Sequence, residues 1–332
     1  MSSYTLSPDE CACERKNRFQ ECVPAVVRRI VAAPLLCAWM FCLPLVGFGA
    51  SPETSSSPVS IVDDAGRTVS LSYPAQRIIP LYAALGETLA AMGLADAVVG
   101  RTVSDDTLPQ ELPVVGTHMR PNPELVAALR PDLVILLEGR QEAGLTADTV
   151  AGMGIAVARF RISSFADLFS CIQRLGTLTG EQDKAEELIR SMRERLAAVA
   201  EKTARLDHKP SVFFEIRYPN LLGAGGGSML TDIIRVAGGV NCLADHDERM
   251  VRLSEESLVL MNPDVYLIQE GAMNKQPIAL EQRPHFRGLA ATRKGFVFTV
   301  RESRFSRPGP QSILAVEELA DILLQYPAGV LP

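Results

Sequence analysis

Aromatic residues make up only 6% of this 332-residue chain, and its single tryptophan, Trp39, falls within the first fifty residues. So few rings argue against a base-stacking nucleic-acid surface. There are four histidines (His118, His208, His246 and His285), no His-x-x-x-His or Cys-x-x-Cys spacing, and no carboxylate cluster to suggest a catalytic metal. Five of the seven cysteines precede residue 43; Cys171 and Cys242 remain, far apart, and read as small buried hydrophobes rather than a disulfide. The run GAGGGS at Gly223 to Ser228 lacks the Gly-Lys-Ser/Thr ending of a phosphate loop. It lacks the closing glycine of a hydrolase elbow as well, and reads as a turn before a helix with Ser228 as N-cap.

What is present first is a leader. Arg28-Arg29 precede an apolar run from Ile30 to Phe48, followed by Gly49 and Ala50. A basic n-region, an apolar h-region and a small-residue exit make a secretory signal, here residues 1–50 with an N-terminal extension, cleaved near Gly49 or Ala50. The alternative is an uncleaved anchor, which Pro34 and Pro44 would interrupt. The paired arginines lack the wider twin-arginine pattern, and no cysteine follows the run to accept a lipid. Without the leader 35 acidic residues face 28 basic ones, a net charge of −7 that suits neither nucleic acid nor a polyanion. The expected location is the periplasm.

Residues 51–58 (SPETSSSP) form a polar tether. Val59 to Leu71 alternates around Asp-Ala-Gly as a β-hairpin. From Arg77 onward short apolar runs (RIIPL, AVVGR, PVVG, IAVARF) alternate with helical stretches, the pattern of a parallel sheet flanked by helices. Glu181 to Leu206 breaks the rhythm with apolar residues on one helical face and no Pro or Gly. The expectation is an α/β protein of two similar lobes with mainly parallel sheets: an N-terminal lobe over 59–180, a linker helix over 181–208 and a C-terminal lobe over 209–332. The similarity of the lobes is written in the sequence. Pro123 to Gly139 (PELVAALRPDLVILLEG) and Glu255 to Gly271 (EESLVLMNPDVYLIQEG) align without a gap, each a short helix, a Pro-Asp break, an apolar strand and an acidic-glycine turn.

Six stretches in order carry a family likeness: VDDAGRTVSL, QRIIPLYAALGETLAAMGLADAVVG, VVGTHMRPNPELVAALRPDLVI, GGGSMLTDIIRVAGGVNCL, LSEESLVLMNPDVYLI and SRPGPQSILAVEELADIL. With the long helix between them, the chain resembles periplasmic solute-binding proteins of ABC importers for cobalamin, ferric siderophores and haem, over roughly Ser60 to Leu324. The resemblance implies a shallow inter-lobe cleft, little lobe movement, capture of a metal chelate and delivery to an ABC permease in the cytoplasmic membrane. It implies a monomer without catalysis or resident cofactor. It also implies one permease-docking glutamate per lobe, for which Glu142 and Glu281 stand nearest the matching positions.

Ligands of open parallel sheets sit beyond the carboxyl ends of the strands. At those ends the first lobe offers Tyr82, then His118, Met119 and Arg120, then Arg140 and Arg161. The second lobe offers Arg217 and Tyr218, then Arg301, Arg304, Phe305 and Arg307. Arginine at nearly every exit favours an anionic chelate, because guanidinium grips carboxylate with a planar fork. The rival reading has these arginines paired with Glu138, Glu215 and Glu302 on a solvated rim. His118 and Tyr82 are open as metal ligands, hydrogen-bonding or stacking groups, or plain loop residues. Two further functions stay open: an exported enzyme such as a metal-chelatase, and a free zinc or manganese binder, for which the histidines are few and scattered.

Overall fold

The computed structural model describes residues 57–139 and 141–327. The leader, Trp39 and most of the tether lie outside the described residues, as does Arg140. Among the described residues no helix is long and apolar enough to cross a membrane.

A hairpin of β1 (Val59–Val62) and β2 (Thr68–Leu71) precedes a parallel sheet built from β3 (Ile78–Pro80), β4 (Leu133–Leu137) and β5 (Ala156–Phe160), in that order. Helices α1 (Ala83–Ala91), α2 (Pro123–Ala128), α3 (Gln141–Gly152) and α4 (Phe165–Thr179) accompany it. The connecting helix α5 spans Gln182–Thr203 and packs on α4. The second sheet is mixed: β6 (Ser211–Arg217), β7 (Leu222–Ala224), β8 (Val240–Asn241), β9 (Met250–Arg252), β10 (Val265–Glu270) and β11 (Val297–Arg301), ordered β11-β10-β6-β7-β9 with β8 also on β6. Its helices are α6 (Met229–Val236), α7 (Glu255–Met261), α8 (Ala290–Lys294), α9 (Glu302–Phe305) and α10 (Ser312–Leu324). Because α5 touches both α4 and α10, it is braced by helices of both lobes. Its 22 residues make a rod of about 33 Å.

The duplicated phrase folds the same way twice. Asn122 and Ser254 cap the two short helices, accepting N–H groups of Glu124 and Leu125 in one and of Ser257 in the other. Val126 and Leu258, at matching positions, are both fully buried. Each helix then breaks at a left-handed residue, Arg130 (φ 47°) and Asn262 (φ 45°), before Pro-Asp. The carboxylates of Asp132 and Asp264 accept backbone N–H groups at the start of the adjacent parallel strand, from Gln76 and Arg77 in one lobe and Ser211 in the other. The conserved wording of the phrase is therefore a strand-start clamp, used once per lobe. Asp264 carries more, since it also accepts the hydroxyls of Ser211 and Tyr326. Replacing Asp132 with Ala should cost about 1 kcal/mol in urea unfolding, and Asp264 with Ala about twice that, from the hydrogen bonds each loses. Equal costs would show that the extra partners of Asp264 contribute nothing.

Two expected strands are not formed. AVVGR and PVVG contribute only isolated bridges, Ile78 with Val98, Arg101 with Val114 and Gly116 with Pro121. Gly100 explains part of this: a Cβ there would come within 2.7 Å of a Leu129 methyl, so the segment is pressed against α2 as a packed loop. The GAGGGS turn has Ser228 capping α6 through Leu230 N–H at 3.2 Å. Its glycines serve close packing, because a Cβ on Gly225 or Gly227 would lie 2.2 Å from the carbonyl oxygens of Glu248 or Asp247. Cys171 is buried and Cys242 half-buried, both as free thiols.

Candidate functional site

In the second sheet β10 runs parallel to both β6 and β11, so Tyr218, Gly271 and Arg301 leave along one edge. In the first sheet the parallel strands β3, β4 and β5 bring Tyr82, Glu138 and Arg161 to one edge. The helices that follow β3 and β11 meet. Arg307 Nη1 lies 2.5 Å from Asp106 Oδ1, and the Gln311 N–H at the head of α10 donates to Glu87 Oε1 of α1 at 2.5 Å. The carboxyl edges of the two sheets are thus held against each other beside β3 and β11. Tyr218 lies two strands from β11, roughly 10 Å along that edge.

On the first lobe Tyr82 stands at the head of α1 with its ring edge-on to His118, centroids 5.6 Å apart. His118 Nδ1 is 3.3 Å from Ser104 Oγ, and Met119 beside it is exposed. Arg120 extends into solvent and pairs with Glu142 at 2.7 Å, a contact that raises its pKa. The two residues expected to serve ligand and permease separately are therefore each other's partner. Arg161 is exposed, and its backbone N–H donates to Asp64 at 2.7 Å. Burial opposes ionisation of Asp64, but the Arg174 fork and this N–H outweigh it and hold the carboxyl below its usual range. A cavity of about 350 Å³ opens where β4 ends, lined by Glu138, Gly139, Gly144, Leu145, Asp148 and Arg159.

On the second lobe the expected cluster separates. Arg304 pairs with Glu318 of α10 at 2.5 Å, and Arg307 is taken by Asp106 across the seam. Arg301 is exposed at the end of β11. Phe305 is corrected outright: it is 1% exposed and stacked on Phe214 at 6.0 Å, a core residue that turns α9 inward. Arg217 is half-buried, and its Nε is enclosed without a hydrogen-bond partner among the described residues. Tyr218 is half-buried at the exit of β6, its hydroxyl donating to Glu255 at 2.9 Å. That bond, aided by burial, pushes the phenol pKa up. Glu281 is exposed on the loop after β10. Rim pairing thus accounts for Arg120, Arg304 and Arg307, although with Glu142, Glu318 and Asp106 rather than the glutamates expected. Glu302 instead accepts from Gln269 and from the Met273 N–H.

Two buried acids with structural consequences escaped the strand-exit argument. Glu215 sits inside β6 with its side chain fully buried against Arg283. Glu87 sits inside α1, 5% exposed, and burial pushes its carboxyl up to about 7, against the opposing pull of the Gln311 N–H and Arg307. Asp105, only 1% exposed, is also raised by burial, with Asp106 adding to the effect. A charge inside SVFFEIR or ALGETLAA was the available signal, because a buried carboxylate demands a partner or a proton. Among the described residues no group of three or more His, Cys, Asp or Glu is placed to hold a metal ion.

The pattern of the periplasmic binding protein family matches residues 78–303. An uncharacterized ABC transporter substrate-binding lipoprotein of Bacillus subtilis (strain 168), YvrC, is 31% identical over 287 residues, covering 84% of this chain and 88% of that protein. A vitamin B12-binding protein of Photorhabdus laumondii is 24% identical over 249 residues, 74% of this chain and 87% of that one. Among solved structures, an ABC-type Fe3+-hydroxamate transport system from Saccharomonospora viridis superposes with a TM-score of 0.66 at 25% identity, covering 80% of this chain and 99% of that one.

Proposed function

The chain belongs to the periplasmic binding protein family, and we propose that it is the periplasmic solute-binding component of an ABC importer, carrying a tetrapyrrole metal chelate between its lobes. The single observation that supports the ligand class is the way the arginines are spent. Arg120, Arg304 and Arg307 are neutralised by carboxylates of the protein itself, whereas the ring pair of Tyr82 and His118 and the braced ring of Tyr218 stand at the two carboxyl edges. Flat apolar surface binds on aromatic rings, and Arg161 and Arg217 remain to meet a peripheral carboxylate or amide. The relative named for vitamin B12 fits this ligand class, and the substrate-binding lipoprotein fits the importer role alone. The second reading is a ferric hydroxamate, supported by the likeness to the Saccharomonospora protein.

The test is the visible absorption spectrum of protein exported by its native host. A corrinoid or a haem band supports the tetrapyrrole; a broad ferric-hydroxamate band would replace it with the second reading. Colourless protein that takes up none of the three would remove the chelate altogether.

Delivery involves docking on the permease, for which Glu142 and Glu281 are the proposed contacts. Docking through Glu142 first requires release of Arg120. An exposed pair of this kind is worth about 0–1 kcal/mol, so the exchange is cheap. Reversing both charges, Glu142→Lys with Glu281→Lys, should impair uptake in cells while ligand affinity in solution stays within about twofold, because neither carboxylate is assigned to the ligand. Full uptake by the double variant would remove both residues from the docking site.

A further inference from the structure

Arg283 lies outside the strand exits, in the loop that leads from β10 to α8, and its side chain is only 2% exposed. Its fork grips Glu215 at 2.5 Å and 3.0 Å, and Nη2 also donates to the Ile278 carbonyl at 2.5 Å. Glu215 is fixed in turn by the Tyr266 hydroxyl at 2.6 Å and the Asn274 amide at 3.4 Å. Neither charge has freedom to rotate. The purpose of so costly an arrangement is visible on the other face of the guanidinium, whose Cζ lies 3.9 Å from the centre of the Tyr218 ring. Phe286 meets the same ring edge-on at 6.0 Å, and Glu255 holds its hydroxyl. A tyrosine just past a strand end would ordinarily sample several rotamers. This one is held at a face, an edge and its tip.

We propose that Arg283, clamped by Glu215, is a positioning residue that holds the Tyr218 ring as a rigid platform for the flat part of the ligand. The proposal rests on the reading above that Tyr218 faces the cleft. A platform ordered before binding spares the complex the cost of freezing a side chain. A planar guanidinium can lie flat on a ring while binding a carboxylate with its edge, which an ammonium cannot. Lysine at 283 would keep the charge and lose the clamp.

The experiment is a double-mutant cycle with Tyr218→Ala and Arg283→Lys, titrating cyanocobalamin and ferric haemin by absorbance. Tyr218→Ala should weaken the probe that wild type binds by about tenfold, and Arg283→Lys by about three- to tenfold. In the Tyr218→Ala background Arg283→Lys should add less than about twofold, because the platform is already gone. A merely structural role would make the two losses multiply, and that outcome overturns the positioning of Tyr218 by Arg283. Unchanged binding by Tyr218→Ala overturns the platform while leaving the tetrapyrrole reading intact. Wild type that binds neither probe overturns that reading and the platform with it. Should Arg283→Lys fail to fold, Glu215→Gln with Arg283→Gln leaves no buried charge and takes its place in the cycle.

Discussion

Glu215→Ala is expected to lower stability toward urea by about 3–5 kcal/mol, the largest loss from any single replacement considered, because it strands a buried guanidinium. The side chains of Glu215 and Arg283 are 0% and 2% exposed, so water cannot solvate the survivor. Burial opposes the Arg283 charge, and the hydrogen bonds and field of Glu215, with smaller contributions from Tyr266 and Tyr218, outweigh it and raise its pKa. Tyr266 would also lose the acceptor of its hydroxyl. The loss should be strongly non-additive. Replacing Glu215 and Arg283 with Met and Tyr266 with Phe together should recover more than half of it, since apolar groups of similar volume need no partner. A triple variant as unstable as the sum of its single losses would show that the cost lies in packing volume rather than in the stranded charge.

Much of the fold was legible because it is periodic or repeated. The helical face from Ala185 to Val199, without Pro or Gly, becomes α5, and the doubled phrase becomes two helix–strand units with the same left-handed break. Where the segments were short the signal failed. AVVGR and PVVG have strand composition, yet the fold uses them as packed loops, since contact with Leu129 rather than propensity decides their conformation. The candidate site was legible as a set of strand ends but not as a set of free groups. Sequence places Arg120, Arg304 and Arg307 at exits; only three-dimensional proximity reveals that Glu142, Asp106 and Glu318 neutralise them. Phe305 shows the same limit. It stands between two exit arginines in sequence, while the turn of α9 sends its ring to Phe214. Arg283 was invisible for the opposite reason, since it reaches its partners from a loop with no periodicity of its own.

The seam between the lobes should make stability fall as pH rises through neutrality. Glu87 titrates at about 7 in the folded chain against an ordinary value of 4.5, so the folded state holds this proton more tightly than the unfolded state does. The associated stability is fully present below about pH 4.5 and is lost as pH climbs through 7. A shift of this size corresponds to roughly 3 kcal/mol. The charges that set it come from every element around the carboxylate: Asp105 and Asp106 from the loop after β3 and α1, and Arg307 and the Gln311 N–H from the α9–α10 junction. Ionisation adds a third negative charge where Arg307 supplies one positive, at the contact that holds the two sheet edges together. Glu87→Gln keeps an acceptor for the Gln311 N–H and has no proton to lose. In urea unfolding between pH 4.5 and 8 the wild type should lose about 2–3 kcal/mol relative to this variant, with the variant the more stable at pH 8. Any slope left in the variant belongs in part to Asp105, whose carboxyl burial also raises. Parallel pH profiles for the two proteins would mean that water reaches Glu87 in solution and that the seam is held by Arg307 and Asp106 alone.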